Sequence, residues 1–155
     1  MVESESDRAK RNFDELLQEL RVAQTGNQIL FAFLLTVAFT PRFAQATGPE
    51  KFVYVLTVLS ASAATALFIA PVNHHRLTFR RGMKSQILPM SSHLAIAGLF
   101  FMMLALNGAL YLAVRTVVGA PWAGIATGLI ATTYVVLWYG VPLIRRIRGY
   151  PPQEP

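Results

Sequence analysis

The chain has 155 residues, of which 54% are hydrophobic and only 14% are charged, and its formal net charge is +6. Soluble globular domains usually contain about a quarter charged residues, so this composition, with its long apolar runs, indicates a membrane protein. The length allows one domain. The lack of cysteine excludes disulfides, iron–sulfur clusters, thiolate zinc sites and cysteine nucleophiles.

Residues 1–23 are polar and carry charges of both signs. Ser4 and Asp7 fit the Ser-x-x-Asp pattern of a helix start, and apolar residues recur at helical spacing between positions 13 and 20. This pattern predicts a cytoplasmic amphipathic helix. It would lie on the membrane surface, against a partner, or under the protein's own helical bundle.

Four apolar runs follow, and each is interpreted as a transmembrane helix: 24–40, 52–72, 93–114 and 121–144. The last three are long enough to cross about 30 Å of hydrocarbon as helices. The first is shorter, unless it takes a turn from the preceding helix. None of the runs alternates like a barrel strand. The predicted fold is therefore an all-α, polytopic membrane protein with four transmembrane helices over 24–144 and a cytoplasmic tail over 145–155.

The lysines and arginines are distributed unevenly among the connecting segments. Most of the 14 lie before the first run, between the second and third runs, or in the C-terminal tail. Four spans place these three segments on one side of the membrane, and the positive-inside rule makes that side the cytoplasm. The sequence thus predicts a multi-pass protein of the bacterial inner (plasma) membrane with both termini cytoplasmic.

Chemistry inside a bilayer usually requires ionisable groups within the spans. None of the four runs contains Asp, Glu, Lys or Arg. His74 and His75 are adjacent, so they point about 100° apart on a helix. No Cys, Asp or Glu lies close enough in sequence to complete a metal site with them or with His93. We therefore predict no catalytic residue, no metal ligand and no cofactor, and a protein that is not an enzyme.

The loop between the second and third runs contains four basic residues: Arg76, Arg80, Arg81 and Lys84. Topology alone explains them, but the cluster also fits anionic lipid headgroups or the acidic face of a partner. Phe79 is a single aromatic residue, which is not the aromatic interleaving that stacks bases. Nucleic acid is therefore not expected to be a partner.

The candidate helix-packing residues are Asn107, Gly124 and Gly128. A buried amide in lipid needs a partner, so Asn107 is expected to hydrogen-bond across helices. Gly124 and Gly128 form a GxxxG motif, and Ser60 and Ala64 repeat the same spacing of small residues. Both patterns permit close helix approach, within the chain or between chains.

The chain resembles a family of small actinobacterial membrane proteins of unknown function in two stretches, "NFDELLQELRVAQTGNQILFAFLLTVAF" and "IAPVNHHRLTFRRGMK". Members are often labelled sodium:proton antiporters, and the resemblance implies a four-span inner-membrane protein. Members tend to carry an acidic residue where this chain has Ser85 and Gln86, and one histidine where it has two. The lack of a carboxylate in the spans argues against antiport.

Three hypotheses of function follow from these observations. The leading hypothesis is a non-enzymatic integral membrane protein that acts by association with other membrane-protein subunits or with itself. It would be an accessory or assembly subunit of a larger membrane complex, with a respiratory complex as the specific hypothesis. The alternative is a small oligomeric, antiporter-like ion transporter or channel lined by Asn107, Thr132 and Thr133. A third hypothesis is a lipid-responsive protein that acts through its N-terminal helix and basic loop.

Overall fold

The computed structural model describes residues 5–78 and 84–147, and every regular element in that part of the chain is helical. The all-α class predicted from the sequence is thereby confirmed. A π-helical turn, Val136–Gly140, separates the last two helices. The helices are α1 (Glu5–Val37), α2 (Pro41–Ala44), α3 (Gly48–Thr78), α4 (Lys84–Val118), α5 (Ala120–Val135) and α6 (Val141–Ile147).

Among the described residues, three helical segments are long and apolar enough to cross a membrane. They are Gly48–Asn73 in α3, Met90–Val118 in α4, and Ala120–Arg145, which runs from α5 through the π turn into α6. The shortest has 26 residues, which at about 1.5 Å per residue exceeds the roughly 30 Å of a hydrocarbon core. These segments contain the second, third and fourth predicted runs and indicate a membrane protein.

Helix α1 combines the predicted amphipathic helix and the first predicted apolar run in one continuous element. The boundary between the two, near residue 24, carries no helix break because Gln24 and its neighbours keep a helical backbone. The mainly apolar part that follows Gln28, residues 29–37, is about 14 Å long as a helix and cannot cross a bilayer by itself. Where α1 ends, the hydroxyl of Tyr54 donates to the backbone oxygen of Leu34 over 2.7 Å. This bond satisfies a carbonyl in the last helical turn, where intrahelical partners are missing.

The segment Met1–Gly108 is one compact unit, in which the described parts of α1, α3 and α4 pack together. Its core contains residues from all three helices: Leu20, Ala64, Phe68 and Ala95. Leu20 of α1 meets the later part of α3, whereas Leu34 meets Tyr54 in the earlier part. Helices α1 and α3 are therefore antiparallel.

Two glycines of α4 allow this helix to approach α3 closely. A Cβ atom at Gly98 would lie 2.5 Å from a ring carbon of Phe68, whose side chain is fully buried. A Cβ atom at Gly108 would overlap the side chain of Thr57. The contact therefore depends on backbone surfaces without side chains, as is typical of helix pairs in membranes.

The segment Ala109–Pro155 is a second compact unit and contains the end of α4, α5, the π turn and α6. Helices α4 and α5 are separated by Gly119 alone, whose φ of 86° lies in the left-handed region that favours glycine. Pro121 then occupies the first turn of α5, where its missing N–H is tolerated. The chain therefore bends sharply within one residue.

We predict that Gly98→Ala lowers the free energy of unfolding by about 1–2 kcal/mol. The new methyl group must displace the buried Phe68 ring, and this overpacking outweighs the higher helix propensity of alanine. Denaturant titration in mixed micelles, followed by far-ultraviolet circular dichroism, measures the change. Gly48→Ala is the matched control, because a Cβ atom there meets nothing within 4 Å. Equal stabilities for the two variants would contradict the proposed contact.

Candidate functional site

The side chain of Asn27 is fully buried between α1 and α3. Its Nδ2 donates to the backbone oxygen of Ala61 and to the hydroxyl oxygen of Thr65, each over 2.8 Å. The Thr65 hydroxyl in turn donates to the oxygen of Ala61 over 3.0 Å. Because a carbonyl oxygen can only accept, this arrangement requires that the nitrogen, and not the oxygen, of the Asn27 amide faces α3.

The opposite atom of this amide, Asn27 Oδ1, is buried and accepts no hydrogen bond from the described residues. Asn107 on α4 shows the same pattern: its Nδ2 donates to the oxygen of Met103 over 3.0 Å, and its buried Oδ1 has no donor in the described part of the chain. A buried acceptor without a donor costs about 1–3 kcal/mol. Both atoms lie in the unit Met1–Gly108.

The two asparagines lie at similar depths along α3. Asn27 meets α3 at Ala61, in the middle of the candidate span Gly48–Asn73. Gly108, the neighbour of Asn107, meets α3 at Thr57, which is one helical turn, or about 6 Å, from Ala61. Thr57 is itself buried, and its hydroxyl donates to the oxygen of Val53 over 2.7 Å. We call this set the polar centre: Asn27, Thr57, Thr65 and Asn107.

The outer surface of α1 is polar at the same level. Arg21, Thr25 and Gln28 are all exposed, and their spacing places them along one side of the helix. We call these three residues the α1 polar stripe. The Thr25 hydroxyl donates to the oxygen of Arg21 within the helix over 2.9 Å. Gln28 follows Asn27 directly, so its exposed amide lies at the level of the middle of the α3 span.

One candidate span is formed by α5, the π turn and α6. None of the 18 residues in its most apolar stretch is buried by the described parts of the chain. A Cβ atom added at Gly124 or Gly128 would meet nothing within 4 Å, so no described residue packs against the predicted GxxxG motif. Beside it lies an open apolar groove of about 640 Å³. The groove is lined by Val114, Val118, Trp122, Ile125, Ala126 and Leu129.

The side-chain hydroxyls of Thr132 and Thr133, two of the predicted channel-lining groups, are bound within their own helix. Thr132 donates to the oxygen of Gly128 over 2.9 Å, and Thr133 donates to that of Leu129 over 3.0 Å. Such intrahelical bonds satisfy the hydroxyl proton and leave lone pairs that can still accept. Both side chains are exposed. They lie in the unit Ala109–Pro155, whereas Asn107 lies in Met1–Gly108.

The hydrogen bond predicted for Asn107 differs from the one observed. The sequence predicted a bond across helices, but the Asn107 nitrogen bonds within α4, to Met103. The cross-helix bond is made instead by Asn27, which the sequence analysis did not select. Asn27 could have been selected because it is an amide inside a predicted span. It was not distinguished from the flanking Gln24 and Gln28, which made the segment look like the polar end of that span.

The basic loop falls largely outside the part of the chain that the structure describes. Arg80 and Arg81 lie outside the described residues. Arg76 and Lys84 belong to α3 and α4, but their side chains are likewise outside the described part. The contact with lipid or partner predicted for these four residues stays a prediction. His93 is exposed, and the described residues contain no group of three or more His, Cys, Asp or Glu that could hold a metal ion.

The sequence from residue 2 to residue 142 matches a family of unknown function, DUF6328. The chain belongs to this family. No curated protein and no solved structure matches it. In this DUF6328 protein the matched segment includes the polar centre, the α1 polar stripe and the whole of α5. All the candidate sites with described geometry therefore belong to the part that the family shares.

We predict that Asn27→Ala and Asn107→Ala, although the same chemical change, have unequal effects. Asn27→Ala removes two bonds to α3 and should lower the free energy of unfolding by about 1–3 kcal/mol. Asn107→Ala removes a bond within one helix and should cost less than about 1 kcal/mol. Denaturant titration in mixed micelles compares them. A larger effect at Asn107 would show that the cross-helix amide is not the dominant contact.

Proposed function

We propose that this DUF6328 protein is a non-enzymatic, integral membrane protein that acts by association. In this proposal it is an accessory or assembly subunit of a larger inner-membrane complex, or a subunit of its own oligomer. The observation that carries the proposal is the α1 polar stripe, which exposes amide and hydroxyl groups at the depth where the surrounding helices are most apolar.

The proposal includes α1 as a fourth span. Leu20 packs with the later part of α3, and Leu34 accepts a bond from the earlier part, so residues 20–37 run beside the candidate span Gly48–Asn73. This stretch is about 27 Å long as a helix, close to the thickness of a hydrocarbon core. The bonds of Asn27 to α3 offset the polarity of its middle. Four spans then place both termini in the cytoplasm by the positive-inside rule.

Lipid cannot satisfy an exposed amide at this depth, because hydrocarbon has no hydrogen-bonding groups. Gln28 therefore favours a protein partner over lipid as its neighbour. Polar side chains at such positions hold transmembrane helices together by hydrogen bonds. A glutamine amide both donates and accepts, so it can pair with a similar amide on another subunit, including Gln28 of a second copy.

A second association surface is the open face of α5. The GxxxG glycines meet no described side chain, and the exposed Trp122, Ile125 and Leu129 form an apolar surface beside them. Close approach of a partner helix would be possible there without rearrangement. Because lipid tails can also cover an apolar face, this surface supports the proposal less strongly than the α1 polar stripe does.

The specific host is part of the proposal. A respiratory complex is the first host to test, and the sequence resemblance contributes only the actinobacterial inner membrane to this hypothesis. The basic residues Arg76, Arg80, Arg81 and Lys84 would face the cytoplasm in the four-span topology. There they are proposed to contact anionic headgroups or a host subunit.

We predict that Gln28→Leu weakens association by about tenfold, equivalent to roughly 1.4 kcal/mol, because it removes a hydrogen-bonding group that lipid cannot replace. Dilution of fluorescently labelled protein in liposomes measures self-association by energy transfer. Co-purification from native membranes in mild detergent measures host association. Ile29→Leu is the matched control, since it places the same side chain at the next exposed position of α1.

Gly128→Leu separates the two candidate surfaces. If the α1 polar stripe carries association, this variant binds like the unmodified chain, whereas Gln28→Leu does not. The reverse result would transfer the proposal to α5. Equal association by Gln28→Leu, Gly128→Leu and Ile29→Leu in both assays would reject association through either surface.

The polar centre favours a second candidate function, a small ion transporter or channel. Two buried amide oxygens with no described donor are groups that an ion could use. The four predicted runs contain no carboxylate to compensate a bound cation, however, which favours association. Liposomes containing the protein and dyes for pH and sodium are expected to show no flux above that of protein-free liposomes. Flux that Asn27→Ala and Asn107→Ala both abolish would establish transport instead.

A further inference from the structure

We propose that the open groove between the end of α4 and α5 binds one anionic phospholipid. Its acyl chain lies in the groove, and its phosphate contacts the guanidinium of Arg115. We call this feature the α4–α5 groove; it is lined by Val114, Val118, Trp122, Ile125, Ala126 and Leu129. The inference concerns the unit Ala109–Pro155 and is independent of association through the α1 polar stripe.

The α4–α5 groove begins where two candidate spans meet. Met90–Val118 ends and Ala120–Arg145 begins on either side of Gly119, so this turn lies at the membrane surface when both segments cross the bilayer. From Trp122 to Leu129 the groove extends along α5 for about 10 Å toward the hydrocarbon core. A phospholipid follows the same course, because its phosphate lies at the surface and its acyl chains point into the core.

The size and lining of the groove suit an acyl chain. All six lining residues are hydrophobic, and Val118, Ile125 and Leu129 are between 49% and 67% exposed. The groove has a volume of about 640 Å³, whereas about 10 Å of an α-helix occupies roughly 800–1,100 Å³. A partner helix would therefore project from the groove, but one extended acyl chain fits within it. Gly124 and Gly128 do not line the groove, so a bound lipid leaves the GxxxG motif open.

Arg115 supplies a positive charge beside the groove. It lies in the last turn of α4, about 60° around the helix from Val118. Its Nη1 donates to the hydroxyl of Tyr111 over 3.0 Å, and its guanidinium carbon lies 5.9 Å from the centre of the Tyr111 ring. Tyr111 is seven positions before Val118, and so only about 20° from it around the helix. The contact with Tyr111 therefore holds the guanidinium on the groove side of α4.

The chemistry of Arg115 favours an anionic headgroup. A guanidinium has five N–H groups in a planar fork, so it can bond to Tyr111 and to phosphate oxygens together. Residues 109–147 contain three arginines and no Asp or Glu, so the charge of this segment is positive. The other two, Arg145 and Arg146, come at the far end of the last candidate span. Arg115 thus distinguishes a lipid of net negative charge from a zwitterionic one at the Gly119 end.

Fluorescence quenching by brominated phospholipids tests the site in the full chain. The chain has two tryptophans, and Trp138→Phe leaves only Trp122, which lines the groove. This variant is reconstituted into vesicles that mix anionic phosphatidylglycerol with zwitterionic phosphatidylcholine, with bromine on one lipid or the other. Phosphatidylglycerol should bind beside Trp122 about fivefold more tightly, which is equivalent to about 1 kcal/mol for one arginine near an anionic headgroup.

Substitutions of Arg115 in the same background test the contact with the headgroup. Arg115→Gln should remove the preference for phosphatidylglycerol, and Arg115→Lys should keep it because lysine retains the charge. Arg145→Gln is the matched control, since it removes the same charge at the other end of the span and should leave the preference unchanged. Far-ultraviolet circular dichroism checks that the variants keep their helices. A preference that persists in folded Arg115→Gln would overturn the proposal.

The Trp138→Phe chain by itself distinguishes the other occupants of the groove. Equal quenching by the two brominated lipids would identify ordinary bilayer contact and overturn the proposal. Protection of Trp122 from both lipids would place protein in the groove and would also overturn it. Loss of that protection on dilution in lipid would identify the protein as a second copy of this chain. None of these results depends on Gln28, so the assays of association through α1 are decided separately.

Discussion

The hydrogen bonds between the Asn27 amide and α3 are the interaction on which the arrangement of α1 depends. In water, an amide exposed on a helix has no need of a protein partner. Asn27 meets the middle of the candidate span in α3, where hydrocarbon would offer no hydrogen-bonding group. Its bonds to Ala61 and Thr65 hold a partly polar helix against an apolar one. The small side chains of Ala61 and Ala64 leave room for that approach, since both are completely buried.

At the position of Asn27 and Gln28, the inner and outer surfaces of α1 have different neighbours. On the inner side, the Asn27 nitrogen is bonded to α3, and its oxygen is buried without a donor among the described residues. On the outer side, Gln28 exposes an amide that hydrocarbon cannot satisfy. A protein neighbour is the proposed answer to the exposure of Gln28. The proposed association would use the same polar segment, 24–28, whereas the apolar α5 face is compatible with lipid.

The match to a family of unknown function covers 2–142, the part of the chain that contains these features, and assigns no chemistry to them. The proposed association is therefore inferred from polar side chains in apolar surroundings. Where the described surface is apolar, as around Trp122 and Leu129, lipid and protein are both suitable neighbours. Where it is polar at the level of the α3 span, as at Gln28, hydrocarbon is not a suitable neighbour and the choice is narrowed to groups that can form hydrogen bonds.

The sequence by itself determined the helical class and the three long apolar segments. Uninterrupted runs in α3, in α4, and from α5 through the π turn into α6 exceed the thickness of the hydrocarbon core whatever they contact. It also determined the lack of carboxylates in those runs. Only the tertiary structure decided which small residues are used: Gly98 and Gly108 meet α3, whereas the more conspicuous GxxxG motif of α5 stays open. It likewise showed that Asn27, rather than Asn107, bridges two helices. Spacing along a chain shows which residues can share a helix face, but the partner of that face is set by packing between elements distant in sequence.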